Sequence, residues 1–365
     1  MNLEFFPSRQ LALYTVRLYL TRSLAVLVGL VLVLMMLDLL GESGKILAVP
    51  GNGDADLWRY VGLRLPLLVS RFLPFAVLLG TLIAFVGLNQ HSEVVAMKAA
   101  GISAHQMLAP LIVASVGIAV LAFAFNETVV VKSARAANAW TDNDYKPVPP
   151  ESSIQTNVWV IRGGGDLVRV RYVAGFGPTF HAAGITIYQR KNGALQRVID
   201  AKRAIPQGER WRLQDVRIYD STMNLVSTSA QMIGLRGLTP DQLRLAKVEP
   251  DESSFISLRH KIGEMEAAGK PTAQARAGLW HKISGPLSIV LMPLLAAVAA
   301  FGLARSGQVL VRACIGMALG FAYFVADNFS LAMGNVGAYP PLIAAWAPFF
   351  LFLLVGEMVL IRSEE

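Results

Sequence analysis

Gly41-Glu42-Ser43-Gly44-Lys45 offers the glycines and the lysine of a phosphate-binding loop. In such a loop, backbone N–H groups and a lysine hold nucleotide phosphates, and a Ser or Thr directly after the lysine reaches Mg²⁺. Here Ile46 follows Lys45, and an apolar helical run precedes the glycines where a strand is required. Nucleotide chemistry is therefore not assigned to this segment. The five histidines (His91, His105, His181, His260 and His281) show no HExxH spacing and no other close pair, and no hydrolytic triad stands out. Cys314 is the one cysteine, so the chain can form no internal disulfide, and a single thiol builds no metal site. These residues predict no catalytic group, no metal and no resident cofactor.

A different set of polar residues draws more notice. Asp38, Arg71, Asp327 and Glu357 lie in or beside long apolar runs. An ionisable side chain within a membrane is costly and usually faces a partner or a cavity. Asp38 and Glu357 stand near run ends and are expected to reach the interface. Asp327, beside Asn328, lies deeper and either makes a polar contact that holds its helix or marks the point where the helix breaks.

The elements that must position these residues follow from composition. The chain has 365 residues, of which 54% are hydrophobic and 16% charged, against about 25% charged in a soluble domain. Mean hydropathy is +0.48. This excludes an ordinary cytosolic protein. Six runs have the length to cross a hydrocarbon core of about 30 Å, which needs about 20 helical residues. They are 23–40, 72–88 (extending back through Arg71 and Arg64), 107–125, 283–304, 313–326 with its continuation to 333, and 342–361. No signal-peptide pattern precedes the first, which is expected to be retained.

Short-loop lysines and arginines set the orientation. With the N-terminus inside, Arg9, Arg17, Arg22, Lys98, Arg305, Arg312 and Arg362 collect on the cytoplasmic face, against Lys45, Arg59 and Arg64 on the other. Both termini are therefore expected in the cytoplasm. The formal net charge of +8 reflects these loops rather than nucleic-acid binding.

Between the second and third runs lies Ser92-Glu93-Val94-Val95-Ala96-Met97-Lys98-Ala99-Ala100-Gly101-Ile102-Ser103, too short and too polar to span. Ser92 is expected to cap a short helix through its hydroxyl. Glu93 follows where the helix dipole favours negative charge, Lys98 lies near the opposite end, and Gly101 is a natural stop. Val94, Val95 and Met97 are expected to form its apolar side. The alternative is a solvated connector.

The polar insert, 130–254, reads as β-structure. The segments 157–162 and 167–172 alternate as strands with one buried face, with Gly163-Gly164-Gly165-Asp166 as a turn. A second hairpin follows at 185–188 and 195–199, and Trp211–Leu213 and Val216–Tyr219 continue the pattern. Short regular strands favour a sandwich or roll. Thr239-Pro240-Asp241 opens a helical turn, and 257–268 reads as an amphipathic helix returning to the membrane.

The segment Glu93 to Ile102, with its pattern Glu-x-x-x-Met-Lys-Ala-x-Gly-Ile, resembles the permease family of the lipopolysaccharide export ABC transporter. So do Leu238-Thr239-Pro240-Asp241-Gln242-Leu243, Leu279-Trp280-His281-Lys282-Ile283 with Pro286-Leu287-Ser288, and Gly320-Phe321-Ala322-Tyr323-Phe324-Val325-Ala326-Asp327. The likeness runs nearly end to end and is strongest to the G-type subunit.

It implies an α-helical membrane protein with six transmembrane helices and a periplasmic all-β jellyroll-like domain inserted between helices 3 and 4. The implied divisions are 1–129 (with the coupling helix at 92–103), 130–255 for the β-domain, and 256–365. It implies a role without its own nucleotide site, paired with an F-type paralogue around a cytoplasmic ATPase dimer that binds the ATP. A periplasmic bridge protein and a single-span regulator would complete the path for lipopolysaccharide out of the bacterial inner membrane.

The resemblance also implies residue roles. Ser92, Glu93, Val94, Val95, Met97, Lys98 and Gly101 would form the ATPase-coupling helix. The first and fifth spans would form a lateral gate and cavity wall, to which Val33, Leu34, Leu37, Met317, Phe321 and Phe324 could contribute. Headgroup phosphates need cations near the outer face. The family's G subunit has lysines late in its first span, whereas this chain has Gly41 and Glu42 there and a lysine only at Lys45.

Three other readings compete with a G-type permease. The chain could be the paralogous F subunit, or a membrane-anchored scaffold whose periplasmic β-domain is the working part. The scaffold does not account for an acidic, capped helix on the cytoplasmic face. An intramembrane enzyme lacks any catalytic pair.

Overall fold

Apolar runs longer than a bilayer is thick become helices because a backbone in lipid must bond to itself. The computed structural model describes residues 7–147, 155–161, 166–174, 180–191, 194–208, 210–235, 238–240, 243, 248–267, 269–302 and 309–362. Six stretches within them are long and apolar enough to cross a membrane. They centre on α1 (Arg9–Leu47), α2 (Asp54–Gln90), α4 (Ala104–Phe125), α7 (Ala273–Ala297), α8 (Val309–Asn335) and α9 (Pro341–Arg362). A seven-residue helix, α3 (Glu93–Ala99), lies between α2 and α4, and α6 (Phe255–Ala267) precedes α7.

Two boundaries differ from expectation. Helix α1 is 39 residues long, well beyond the 23–40 run. The helix of the third run, 107–125, does not stop at residue 125. It passes through a π-helical turn, Asn126–Val130, into α5 (Val131–Asp142). Polar side chains at 126–142 lowered the hydropathy, but i→i+4 bonding does not require apolar residues once a helix is under way.

The chain forms two compact units. The first comprises 1–42, 57–134 and 250–365; the second comprises 43–56 and 135–249. In the first, α7 is the centre: 72% of its most apolar window is buried, against 11% for α1. Its core gathers Tyr19, Leu78, Leu111, Ile289, Leu294 and Leu295. Interior prolines occur in α2, α4, α7 and α9, which membrane helices tolerate.

Without a hydrophobic drive between helices in lipid, close backbone approach through small residues holds them together. At Gly80 of α2 an added Cβ would run into the backbone and hydroxyl of Ser23 on α1. At Gly316 of α8 it would lie 2.7 Å from the Leu82 side chain. Backbone cannot yield as a side-chain tip can. Gly80→Leu is therefore expected to cost about 1–3 kcal/mol or more from overpacking, read as a lowered midpoint of thermal unfolding in detergent. Gly87→Leu, where nothing lies within 4 Å, should leave it nearly unchanged. Equal midpoints would show that α1 and α2 do not meet at Gly80.

The second unit carries six strands, β1 (Gln155–Ile161), β2 (Leu167–Ala174), β3 (His181–Lys191), β4 (Ala194–Gln207), β5 (Arg210–Asp220) and β6 (Leu225–Gly234). They form one antiparallel sheet in sequence order. Side chains on alternating positions, Val168 and Val170, Ile185 and Ile187, Ile199 and Ala201, Trp211 and Leu213, build a single core. Trp211 Nε1 donates to the Leu238 carbonyl at 2.7 Å, and Leu238 and Leu243 are both buried in that core.

Trp211–Leu213 and Val216–Tyr219 are one strand, not two, with Asp215 at φ 54° between them. Strand β6 escaped prediction because its residues are almost all exposed, so no alternation marks it. Asp220 closes the β5–β6 turn. Hydrogen bonds from the Thr222 hydroxyl and the Asn224 N–H hold its carboxyl below the usual aspartate range. The glycine turn at 163–165 lies outside the described residues.

Candidate functional site

Helix α3 is short, so its ends decide its shape. Ser92 does not cap it. It sits in the left-handed region at φ 57° and its hydroxyl makes no capping bond. The turn leaving α2 takes its conformation instead, with Ser92 N–H donating to the Asn89 carbonyl at 3.0 Å. The C-terminal stop is as expected. Gly101 has φ +81°, its N–H bonds to the Lys98 carbonyl at 3.0 Å, and Ile102 N–H bonds to Met97 at 3.1 Å. This pair of bonds is a Schellman motif, open to glycine because it has no Cβ to strain. A reciprocal capping box then starts α4: Gln106 N–H donates to Ser103 Oγ at 3.1 Å and Ser103 N–H donates to Gln106 Oε1 at 3.0 Å. That Ser-x-x-Gln signal is legible in the sequence and was missed.

The two faces of α3 are distinct. Val94 and Met97 are buried in the helical core, three residues apart on one side. Val95 is 63% exposed and does not share that side, as the apolar-side expectation had it. Lys98 is exposed too. Glu93, in the first turn, accepts a hydrogen bond at 3.2 Å from the Tyr14 hydroxyl of α1. So α3 is anchored by Val94 and Met97, braced by Tyr14, and presents Val95 and Lys98 outward.

The intramembrane polar residues find partners that spacing alone could not assign. Asp38 does not merely reach the interface. Arg64 of α2 donates to both its carboxylate oxygens, at 2.9 and 3.1 Å, and Tyr60 donates at 2.8 Å. Asp327 does not break its helix, since α8 runs through it to Asn335. Its carboxylate lies 3.0 Å from Nε2 of His281 on α7. Glu357 of α9 stands 3.3 Å from His105 of α4. Arg71 is exposed on α2. Glu127, in the π-turn, was missed altogether. It holds Lys282 of α7 at 3.1 Å with one oxygen and accepts the Phe255 N–H of α6 at 2.6 Å with the other. Side chains of this pair are only 7% (Lys282) and 17% (Glu127) exposed.

The expected gate residues fall on α1 and α8. Val33, Leu37, Met317 and Phe321 are exposed. Leu34 and Phe324 are half-buried, and Phe324 packs edge-on against Phe75 of α2 at 5.2 Å between ring centres. Exposed apolar side chains on these helices suit acyl chains, whether of a substrate or of the bilayer. Lys45 is exposed in the last turn of α1.

Similarity to known proteins agrees with this arrangement. The chain is 29% identical over 353 residues to the lipopolysaccharide export system permease protein LptG of Escherichia coli K12, covering 94% of each chain. It is 26% identical over 322 residues to the protein of that name from Haemophilus influenzae, covering 86% of this chain and 89% of the other. The model of the lipopolysaccharide export system permease LptF/LptG family matches residues 13–362, from the first turns of α1 to the end of α9. With six helices among the described residues long and apolar enough to cross a membrane, and a β-sheet inserted after the third, the chain belongs to that permease family.

Proposed function

We propose that this chain is the G-type permease subunit of an ABC transporter that extracts lipopolysaccharide from the inner membrane. In this reading it pairs with an F-type paralogue, and ATP is bound and hydrolysed by a separate cytoplasmic ATPase dimer. The lipid passes to a periplasmic β-bridge, assisted by a bridge protein and a single-span regulator. The observation that carries the reading is α3. It is a short helix fixed on one face by Val94 and Met97, with Val95 and Lys98 outward and Glu93 at its dipole-favoured first turn. The relatives named LptG support the G-type assignment.

In this reading α3 and both termini lie in the cytoplasm and the sheet in the periplasm, which the lysine and arginine bias of the short loops supports. Reporter fusions in the β5–β6 turn and at the carboxyl terminus should give opposite signals, and a cytoplasmic signal from the turn would overturn the reading. Detergent extraction should bring down a small ATPase and bound lipopolysaccharide together with the chain. Extraction of the chain with neither would favour the anchored scaffold.

A further inference from the structure

Helix α8 has two distinct faces. Gly316, Gly320, Tyr323, Asp327, Ser330 and Gly334 recur at intervals of four and three, the spacing that keeps side chains on one side of a helix. This side faces inward, and its small residues let neighbours approach closely. An added Cβ at Gly316 would lie 3.1 Å from the Ala299 side chain, and one at Gly334 would lie 3.3 Å from that of Ala277 on α7. Tyr323, 4% exposed, packs edge-on against Phe352 of α9 at 5.4 Å between ring centres. The outward side is apolar, with Met317, Phe321, Val325 and Phe329 exposed at intervals of four. Only 22% of the most apolar window of this helix is buried, against 72% for α7.

One position of that inward side carries charge. The Asp327 carboxylate stands 3.0 Å from Nε2 of His281 on α7, with side-chain exposures of 16% for Asp327 and 30% for His281. His281 lies about two turns inside the start of α7, and Asp327 about two turns before the end of α8. Histidine is the side chain whose ordinary titration falls between about pH 5 and 8. Among the described residues, the charges that act on it are those of Asp327, of Asp251 in the turn Pro250–Glu252, and of Lys282, the next residue of α7. Lys282 is itself paired with Glu127 of the π-turn at 3.1 Å. Glu357 of α9 lies beside His105 instead, and Arg71 of α2 is exposed. Two carboxylates thus act on the imidazole, against one lysine that already has a counter-charge.

We infer that His281 and Asp327 form a proton-operated latch between α7 and α8, tight when the imidazole is charged and loose when it is neutral. A neutral imidazole offers the carboxylate one hydrogen bond. A second proton adds an opposite charge at the same distance, where protein and lipid screen it less than water would. The added hold is therefore present at acid pH and lost as pH rises through the imidazole's range. What it restrains is a helix with an apolar outward stripe, so the freedom of that stripe follows pH. The latch is a property of this chain alone and is independent of the proposed transport. Only the source of its proton, the periplasm, rests on the proposed topology.

The test uses the full chain in lipid nanodiscs, with Cys314→Ser and Phe329→Cys so that a nitroxide attaches at one exposed place on α8. The ratio of mobile to immobile spectral components should be about tenfold higher near pH 8 than near pH 5.5, the lower end of what an opposite charge within ~4–6 Å exerts on a titrating group. His281→Gln keeps an N–H donor and cannot titrate in this range, so its ratio should stay near the alkaline value at both pH values. Asp327→Asn keeps a hydrogen-bonding group without the charge and should do the same, which decides the matter if His281→Gln fails to fold. The other histidines are present in every chain compared, so their titration cancels. A ratio that does not change with pH when the pair is intact would overturn the latch. So would a pH response of equal size in His281→Gln or Asp327→Asn.

Discussion

Replacing Glu127 with alanine is expected to destabilise the membrane unit by about 3–5 kcal/mol, the cost of removing one partner from a buried ion pair. Two groups lose their partner at once. Among the described residues, Lys282, 7% exposed, is left with only Asn126 Oδ1 at 3.4 Å, and Phe255 N–H loses its acceptor at 2.6 Å. Glu127→Gln keeps an acceptor for Phe255 and loses only the charge, so it should fall between alanine and the unaltered chain. Unfolding midpoints in detergent, compared at fixed lipid content, would show that order. The exchanged pair Glu127→Lys with Lys282→Glu should recover part of the loss but not the Phe255 bond. Midpoints for all three that match the unaltered chain would mean that water reaches the pair and that the π-turn has no role in joining α4, α6 and α7.

Glu93→Ala should act on coupling, not on folding. A first-turn carboxylate contributes about 0.3–1 kcal/mol to its helix, and the Tyr14 bond is exposed. The midpoint of unfolding should therefore move little. At a docked interface, removing a desolvated charge costs about 2–5 kcal/mol, because the partner's cation is left unpaired. ATPase retention on the purified chain should drop correspondingly, by about 30-fold or more in affinity. Met97→Ala should behave in the opposite way. Its side chain is 8% exposed in the core, so its loss should lower stability by about 2–5 kcal/mol.

What the sequence showed and what it hid follow from the range of each interaction. The spans were readable because lipid imposes one composition along about 20 residues. The helix stop at Gly101 was readable because only a local backbone angle is involved. Strands β1 to β5 were readable because their residues alternate in polarity, whereas β6, exposed almost throughout, carries no such mark. Three of the residues quoted for family resemblance make contacts across the fold. His281 meets Asp327 across α7 and α8, and Leu238 receives the Trp211 indole.

The partners of Asp38, Glu93 and Glu127 lie 26, 79 and 155 residues away along the chain. No periodicity within one helix reports such a pairing. Ser92 misled for a related reason: its type suits a cap, but the turn out of α2 places its backbone in the left-handed region first.

We propose that ATP hydrolysis by a partner, entering at α3, drives lipopolysaccharide out of the membrane through this chain. Its most direct test is ATP-driven release of lipopolysaccharide from proteoliposomes holding the chain, its paralogue and the ATPase, beside the same assembly carrying Glu93→Ala. Release should depend on ATP in the first and be lost or uncoupled from hydrolysis in the second. Equal ATP-driven release from both would contradict entry at Glu93, and no ATP-dependent release from either would contradict the transporter itself.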